Sequence, residues 1–171
     1  MTRARIRGLG FWLAIAATVA VLDQLTKWWL GLYLLPGQAI QVTPFFNLVH
    51  VFNRGAAFSF LADAGGWQRF FFIAITLGAI GLILWLMRKH ADEPMFCLGL
   101  ALILGGAVGN LYDRVAHGHV VDFLDFHAAG WHWPAFNVAD SGITVGATLL
   151  VIDALFSTRR PATEPPGKAV R

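Results

Sequence analysis

A chain of 171 residues that is 57% hydrophobic and only 13% charged, with a mean hydropathy of +0.60, is too apolar for an ordinary soluble domain, where about 45–50% apolar and about 25% charged residues are usual. The length allows one domain, and the single cysteine excludes an internal disulfide. The formal charge of +3 comes without the basic, aromatic-laced soluble face that nucleic-acid binding needs, so no nucleic-acid partner is expected.

In chain order, Arg3, Arg5 and Arg7 lead into a first apolar run over residues 9–30. A second reading makes this run a cleaved signal peptide, with Thr18-Val19-Ala20 as its cleavage site. The apolar pattern resumes beyond Asp23 and Lys27 in WWLGLYLL, which a signal peptide does not need, so a membrane span is the better reading. Residues 31–67 form a loop in which FFNLVHVFN (45–53) reads partly as a strand. Further runs follow at 70–87, 95–112 and 138–156. Each approaches the ~20 residues a helix needs to cross ~30 Å of hydrocarbon. Pro94 stands at the start of the third run, where its missing N–H costs nothing. Barrel strands are excluded by the length and continuity of the runs.

The expected fold is therefore an all-α membrane protein of four transmembrane helices, with a small extracytoplasmic β-sheet and an interfacial loop. Residues 1–158 are one integral membrane domain, and the polar, Pro-rich residues 159–171 are a disordered cytoplasmic tail. Arg3, Arg5, Arg7, Arg88, Lys89, Arg159, Arg160, Lys168 and Arg171 fall on one side of such a bundle, nine of the thirteen basic residues. The positive-inside rule makes that side cytoplasmic, with both termini on it. The loops at 31–67 and 115–136 then face outside, with Trp131 and Trp133 anchored among headgroups.

This topology sorts the polar residues. Asp23 and Lys27, spaced i,i+4, fall near the outer end of the first span, and Asn110 and Arg114, also i,i+4, at the outer end of the third, with Asp113 beside them. Asp140 opens the fourth span, Asp122 lies in the loop entering it, and Asn53 in the first outer loop. A carboxylate at the edge of hydrocarbon costs a few kcal/mol on insertion scales, so a polar pocket shared between helices is expected. Plainer readings stand beside this one. The Asp23–Lys27 pair suits a snorkelled surface pair, Asn110 interhelical glue, Arg114 a helix C-cap and Asp140 a helix-dipole partner. Asp125 reads as a solvated loop charge, and Asp153 as a partner of Arg159 or Arg160. Cys97 suits apolar packing, and GGAVG (105–109) close helix contact, not a phosphate loop. His117, His119, His127 and His132 share one loop at irregular spacing, so no metal and no cofactor is expected. Two classes remain open: an enzyme using paired carboxylates at the membrane edge, and a small transporter or proton channel with an acidic relay. A transporter should carry its charges near the midplane, often with an internal repeat, which favours the enzyme.

The blocks DQLTK (23–27), NRGAAFS (53–59), GNLYDR (109–114), VVDF (120–123) and FNVADS (136–141), in this order, resemble the successive motifs of bacterial lipoprotein signal peptidase, signal peptidase II. The resemblance covers about residues 9–156. It implies an aspartic endopeptidase of the bacterial inner membrane that acts on diacylglyceryl-modified prolipoproteins, cutting on the N-terminal side of the lipidated cysteine. It implies Asp122 and Asp140 as the catalytic pair. Asp23, Lys27, Asn53, Gly55, Asn110, Asp113, Arg114 and Asn137 shape the pocket around them. It further implies a monomer in contact with membrane lipid, with its site at the outer face, inhibited by globomycin-type cyclic peptides.

Overall fold

The computed structural model describes residues 8–55 and 65–157. Part of the NRGAAFS block, the basic N-terminal residues and the tail with Arg159 and Arg160 lie outside them, as does the expected pairing of Asp153.

Among the described residues, eight elements follow one another: α1 (Leu9–Tyr33), β1 (Ala39–Thr43), β2 (Phe46–Asn53), α2 (Gln68–Lys89), α3 (Pro94–Ala116), β3 (Val120–Ala128), β4 (Trp131–His132) and α4 (Val138–Ser157). Among the described residues, four helices are long and apolar enough to cross a membrane. The helices run up to four residues beyond the expected limits at an end, and in α2 and α3 the added ends include polar residues such as Gln68, Arg88, Asp113 and Arg114 that still form helix. In α1 the helix continues unbroken through Asp23 and Lys27, whose side chains bind α3 and α4. The first run is thus built into the fold.

The central helix is α3, which packs against α1, α2 and α4. Small residues bring the backbones together, as expected where lipid supplies no hydrophobic drive between helices. A Cβ on Gly105 would meet the Ala16 carbonyl oxygen at 2.5 Å, and one on Gly106 would run into the Ala139 carbonyl. Across α4, a Cβ on Gly146 would meet the Gly99 carbonyl oxygen at 2.5 Å. The expected role of the GGAVG stretch is therefore observed.

The two ends of the bundle differ in chemistry. One holds an apolar core of Trp12, Ala16, Ile83, Met87, Cys97, Leu100, Ala101 and Leu104, with Cys97 fully buried as apolar packing requires. The outward faces of the helices carry exposed Leu25, Trp28, Leu82, Trp85 and Val151, as lipid-facing surfaces do. The other end carries the polar residues and the sheet.

That sheet has the order β1-β2-β3-β4, antiparallel throughout. The expected strand at 45–53 is β2. Residues 115–136, read as a loop, supply β3 and β4, so Asp122 lies on a strand and not in a loop. The reason is non-local: β3 is the partner of β2, with Asn53 opposite Val120 and Val51 opposite Asp122. Between Leu48 and Val51 the register slips, an irregularity of the kind that bends a strand. Within it the His50 imidazole Nδ1 lies 2.7 Å from the Leu34 carbonyl oxygen, tying β2 to the end of α1. Phe136 N–H donates to the Leu124 carbonyl at 3.1 Å, and Leu124 N–H to the Phe136 carbonyl at 2.9 Å. These bonds fix the chain entering α4 against the strand that carries Asp122.

Candidate active site

The polar end is built on Lys27. Its ammonium has three N–H donors and three acceptors around it: Asp23 Oδ2 at 2.7 Å, Asp113 Oδ2 at 2.7 Å and Asn110 Oδ1 at 3.1 Å. Lys27 is 6% exposed, Asp113 2% and Asp23 fully buried. The surface-pair reading of Asp23 and Lys27 is thus overturned: the i,i+4 pair points inward and gains a second carboxylate from α3. Gln24 completes the cluster, its amide donating to Asp113 Oδ1 at 2.9 Å, the Gly109 carbonyl at 3.1 Å and Asp23 Oδ2 at 3.2 Å. The other Asp23 oxygen accepts the backbone N–H of Ala139 at 2.9 Å, in the first turn of α4. Gly109 admits this arrangement, since a Cβ there would meet Asp23 Oδ2 at 2.6 Å. One buried charge cluster therefore clamps α1, α3 and α4.

Asn110 and Asn137 connect the clamp to two further aspartates, Asn53 holds one of these from β2, and each amide has only one workable orientation. The oxygen of Asn110 must face Lys27, a pure donor, so its NH₂ donates to Asp140 Oδ1 at 2.8 Å. The oxygen of Asn137 caps α4 by accepting the Asp140 backbone N–H at 2.9 Å, so its NH₂ donates to Asp122 Oδ1 at 2.7 Å. The oxygen of Asn53 accepts the Gly55 N–H at 2.9 Å, so its NH₂ donates to Asp122 Oδ2 at 3.0 Å. Asp122 and Asp140 are thus met by N–H donors and held in place from three elements. The helix-dipole and glue readings of Asp140 and Asn110 describe part of what these residues do. Asp140 does lie in the first turn of α4, and Asn110 does bridge helices.

Both aspartates line one cavity of about 680 Å³. Its polar side carries Asn53, Asn110, Arg114, Asp122 and Asp140, and its apolar side Phe52, Trp133, Phe136, Ile143 and Val145. Burial pushes the Asp122 carboxyl up to about 7, and the charge of Asp140 adds to the rise, while hydrogen bonds from Asn53 and Asn137 oppose it. Two carboxylates that share one cavity do not both ionise easily, which favours retention of a proton by the pair. Arg114 extends from the last turn of α3 across the cavity. Its guanidinium donates to the Gly55 carbonyl at 3.0 Å and the Asn110 carbonyl at 3.4 Å, and sits 5.1 Å over the Phe72 ring. It does more than cap its own helix. A proton-sharing carboxyl pair beside a fixed cation and an apolar wall is equipped to activate water against a carbonyl group.

The ten residues expected to form or shape the pocket converge here: Asp23, Lys27, Asn53, Gly55, Asn110, Asp113, Arg114, Asp122, Asn137 and Asp140. Gln24 was missed, although it shares the DQLTK block, because nothing in its spacing distinguishes it from a surface glutamine. Asp125 is a correction. It is 6% exposed on β3, not a solvated loop charge. Asn47, opposite it on β2, donates to Asp125 Oδ2 at 2.8 Å, and His132 Nδ1 lies 2.9 Å from Asp125 Oδ1. These bonds outweigh its burial and hold the carboxyl below its ordinary range. The four loop histidines separate: His132 and His127 stack at 4.8 Å beside Asp125, while His119 lies on Phe52 at 3.9 Å and His117 sits beyond it.

A family model described as signal peptidase (SPase) II matches residues 15–156. The chain belongs to the signal peptidase II family. Its relatives include the lipoprotein signal peptidase of Ralstonia nicotianae, 56% identical over 153 residues that span 90% of this chain and 88% of that protein. That of Paraburkholderia phytofirmans is 56% identical over 92% of each chain. The fold superimposes on a bacterial membrane enzyme solved by the in meso method, with a TM-score of 0.82 and 33% identity, over 94% of this chain and 96% of that one. The matched span contains every site residue named above, all of α2 and α3, and most of α1 and α4. The transporter reading loses its footing on two counts: the family, and the placement of the charges at one end of the bundle.

Proposed function

We propose that this chain removes the signal peptide from prolipoproteins as an aspartic endopeptidase, with Asp122 and Asp140 as its catalytic pair. The observation that carries the proposal is the shared cavity, in which both carboxylates are positioned by amides whose oxygens are committed elsewhere. The ionised member takes a proton from water as the water oxygen attacks the scissile carbonyl carbon, and the protonated member gives its proton to the carbonyl oxygen. As the C–N bond breaks, the leaving nitrogen takes up a proton from the pair, and a hydroxyl of the tetrahedral diol returns one to it as the carbonyl re-forms, so the pair ends with the one proton it began with. No covalent intermediate forms.

Cleavage falls on the N-terminal side of a cysteine that already carries a diacylglyceryl group. The apolar wall of Trp133, Phe136, Ile143 and Val145 supports this, because it runs from the carboxylates onto a lipid-facing helix, so acyl chains need not leave the bilayer. The protein resides in the bacterial inner membrane as a monomer, with both termini cytoplasmic and the site at the outer face. The Arg114 guanidinium, held by the Gly55 and Asn110 carbonyls, shapes the pocket around the pair. Globomycin-type cyclic peptides are expected to occupy the same cavity.

The test uses the purified protein in detergent with one prolipoprotein in diacylated and unmodified forms. A size shift for the diacylated form only, unaffected by EDTA, is expected. Equal cleavage of both forms would contradict the lipid requirement, and loss with EDTA restored by zinc would contradict the aspartic mechanism.

A further inference from the structure

A second cavity, of about 610 Å³, lies between the start of α2 and the turn after α3. We propose that it binds the phosphate group of an anionic glycerophospholipid headgroup. Its described lining includes Arg54, Gln68, Arg69, His117, Gly118 and His119, and no acidic side chain.

Among the described residues, Arg54 and Arg69 form no salt bridge with a carboxylate. Arg69 is anchored by one bond, from Nη2 to the Val115 carbonyl oxygen at 2.8 Å. Its Nε is buried without a hydrogen-bond partner. The Arg69 guanidinium lies against Gly118, where a Cβ would come within 3.5 Å of Nη1. The φ of +79° at that glycine disfavours any side chain that would crowd it. The His117 and His119 rings stand 6.1 Å apart. Burial pushes the His119 imidazole below its ordinary value, and His117 and Arg54 add to this while the Asp113 carboxylate opposes it. A phosphodiester supplies what the cavity lacks: negative charge and oxygen acceptors matched to guanidinium donors.

The position of the cavity selects a lipid as the source. It opens where one span begins, at Gln68, and another ends, at Ala116. Trp67, Phe70 and Tyr112 around it are all more than half exposed. Aromatic rings of this kind sit at headgroup depth, and basic pockets at the ends of transmembrane helices suit anionic headgroups. Among the described residues, only Arg54 lines both this cavity and the one with the aspartates. A bound headgroup therefore fixes a residue at the edge of the active cavity.

The experiment is thermal unfolding of the full chain in neutral detergent, with phosphatidylglycerol, phosphatidylcholine or inorganic phosphate added. Because binding is read and cleavage is not, the outcome is independent of the peptidase proposal. Phosphatidylglycerol should raise the midpoint by several degrees, and phosphatidylcholine and inorganic phosphate by far less. Arg54→Gln and Arg69→Gln should each lose at least half of the phosphatidylglycerol shift. Equal shifts with the two lipids, or an undiminished shift in both variants, would overturn the site. The full shift with inorganic phosphate alone would overturn the lipid as its source. Should the variants not fold, native mass spectrometry of the unaltered chain decides: preferential retention of phosphatidylglycerol supports the site, and equal retention of both lipids overturns it.

Discussion

Lys27 satisfies two buried carboxylates at once, and its removal leaves Asp23 and Asp113 facing each other without a counter-charge. Breaking a buried ion pair from one side costs about 3–5 kcal/mol. Lys27→Ala is therefore expected to lower folded yield and thermal midpoint together, measured by size-exclusion chromatography and unfolding in detergent. Unchanged yield and midpoint would mean that the cluster bears no load. Asp122 carries a pH prediction. With its carboxyl pushed up to about 7, the pair holds its proton below that pH and loses it above, so kcat/KM should fall as pH rises through about 7. Asn53 donates to Asp122 Oδ2 and so favours the ionised form. Asn53→Ala should move the alkaline limb to higher pH, and a limb that stays in place or moves down would contradict the assignment. Asp125 sits on the same strand with partners of its own, Asn47 and His132. Asp125→Asn should keep most cleavage activity while losing about 1 kcal/mol of stability.

Among the elements, α3 carries the closest contacts, and its glycines are the places where they are decided. Gly106→Ala sets a methyl against the Ala139 carbonyl at the start of α4, the turn that also carries Asp140. The expected cost is about 1–3 kcal/mol, seen as a lower unfolding midpoint. Gly81→Ala on α2 meets open space and should leave the midpoint unchanged or slightly raised, since alanine is the better helix former. A similar loss at both positions would contradict close packing as the cause. The helices were legible because an unbroken apolar run of about twenty residues has few other uses. β2 was legible in part from its β-branched and aromatic residues. β3 was not, because VVDFLDFH mixes apolar and acidic residues without strict alternation, and its strand character comes from pairing with β2 across more than sixty residues of chain. The same reason hid the burial of Asp125. Asp122 and Asp140 were legible as members of motif blocks, whereas Gln24 and the apolar wall at Trp133 became visible only with the tertiary fold.

At the scale of the molecule, the segregation of an apolar core to one end and a polar cluster to the other fits a protein that works at a membrane boundary. The distribution of arginine and lysine gives the orientation we propose, and a reporter fused after Phe156 should be active only in its cytoplasmic form. Periplasmic activity at that junction would reverse the topology and put the polar end on the wrong face. The central claim is that Asp122 and Asp140 act as one catalytic unit. It is tested most directly by processing of diacylated prolipoprotein with Asp122→Asn, Asp140→Asn and the double variant, each first shown to be folded in detergent. Asparagine preserves shape but neither takes nor gives a proton at neutral pH. Each single variant should lose cleavage by ~10⁴-fold, and the double variant should lose little more, because residues that act together are not additive. Substantial cleavage by either folded single variant would contradict the account.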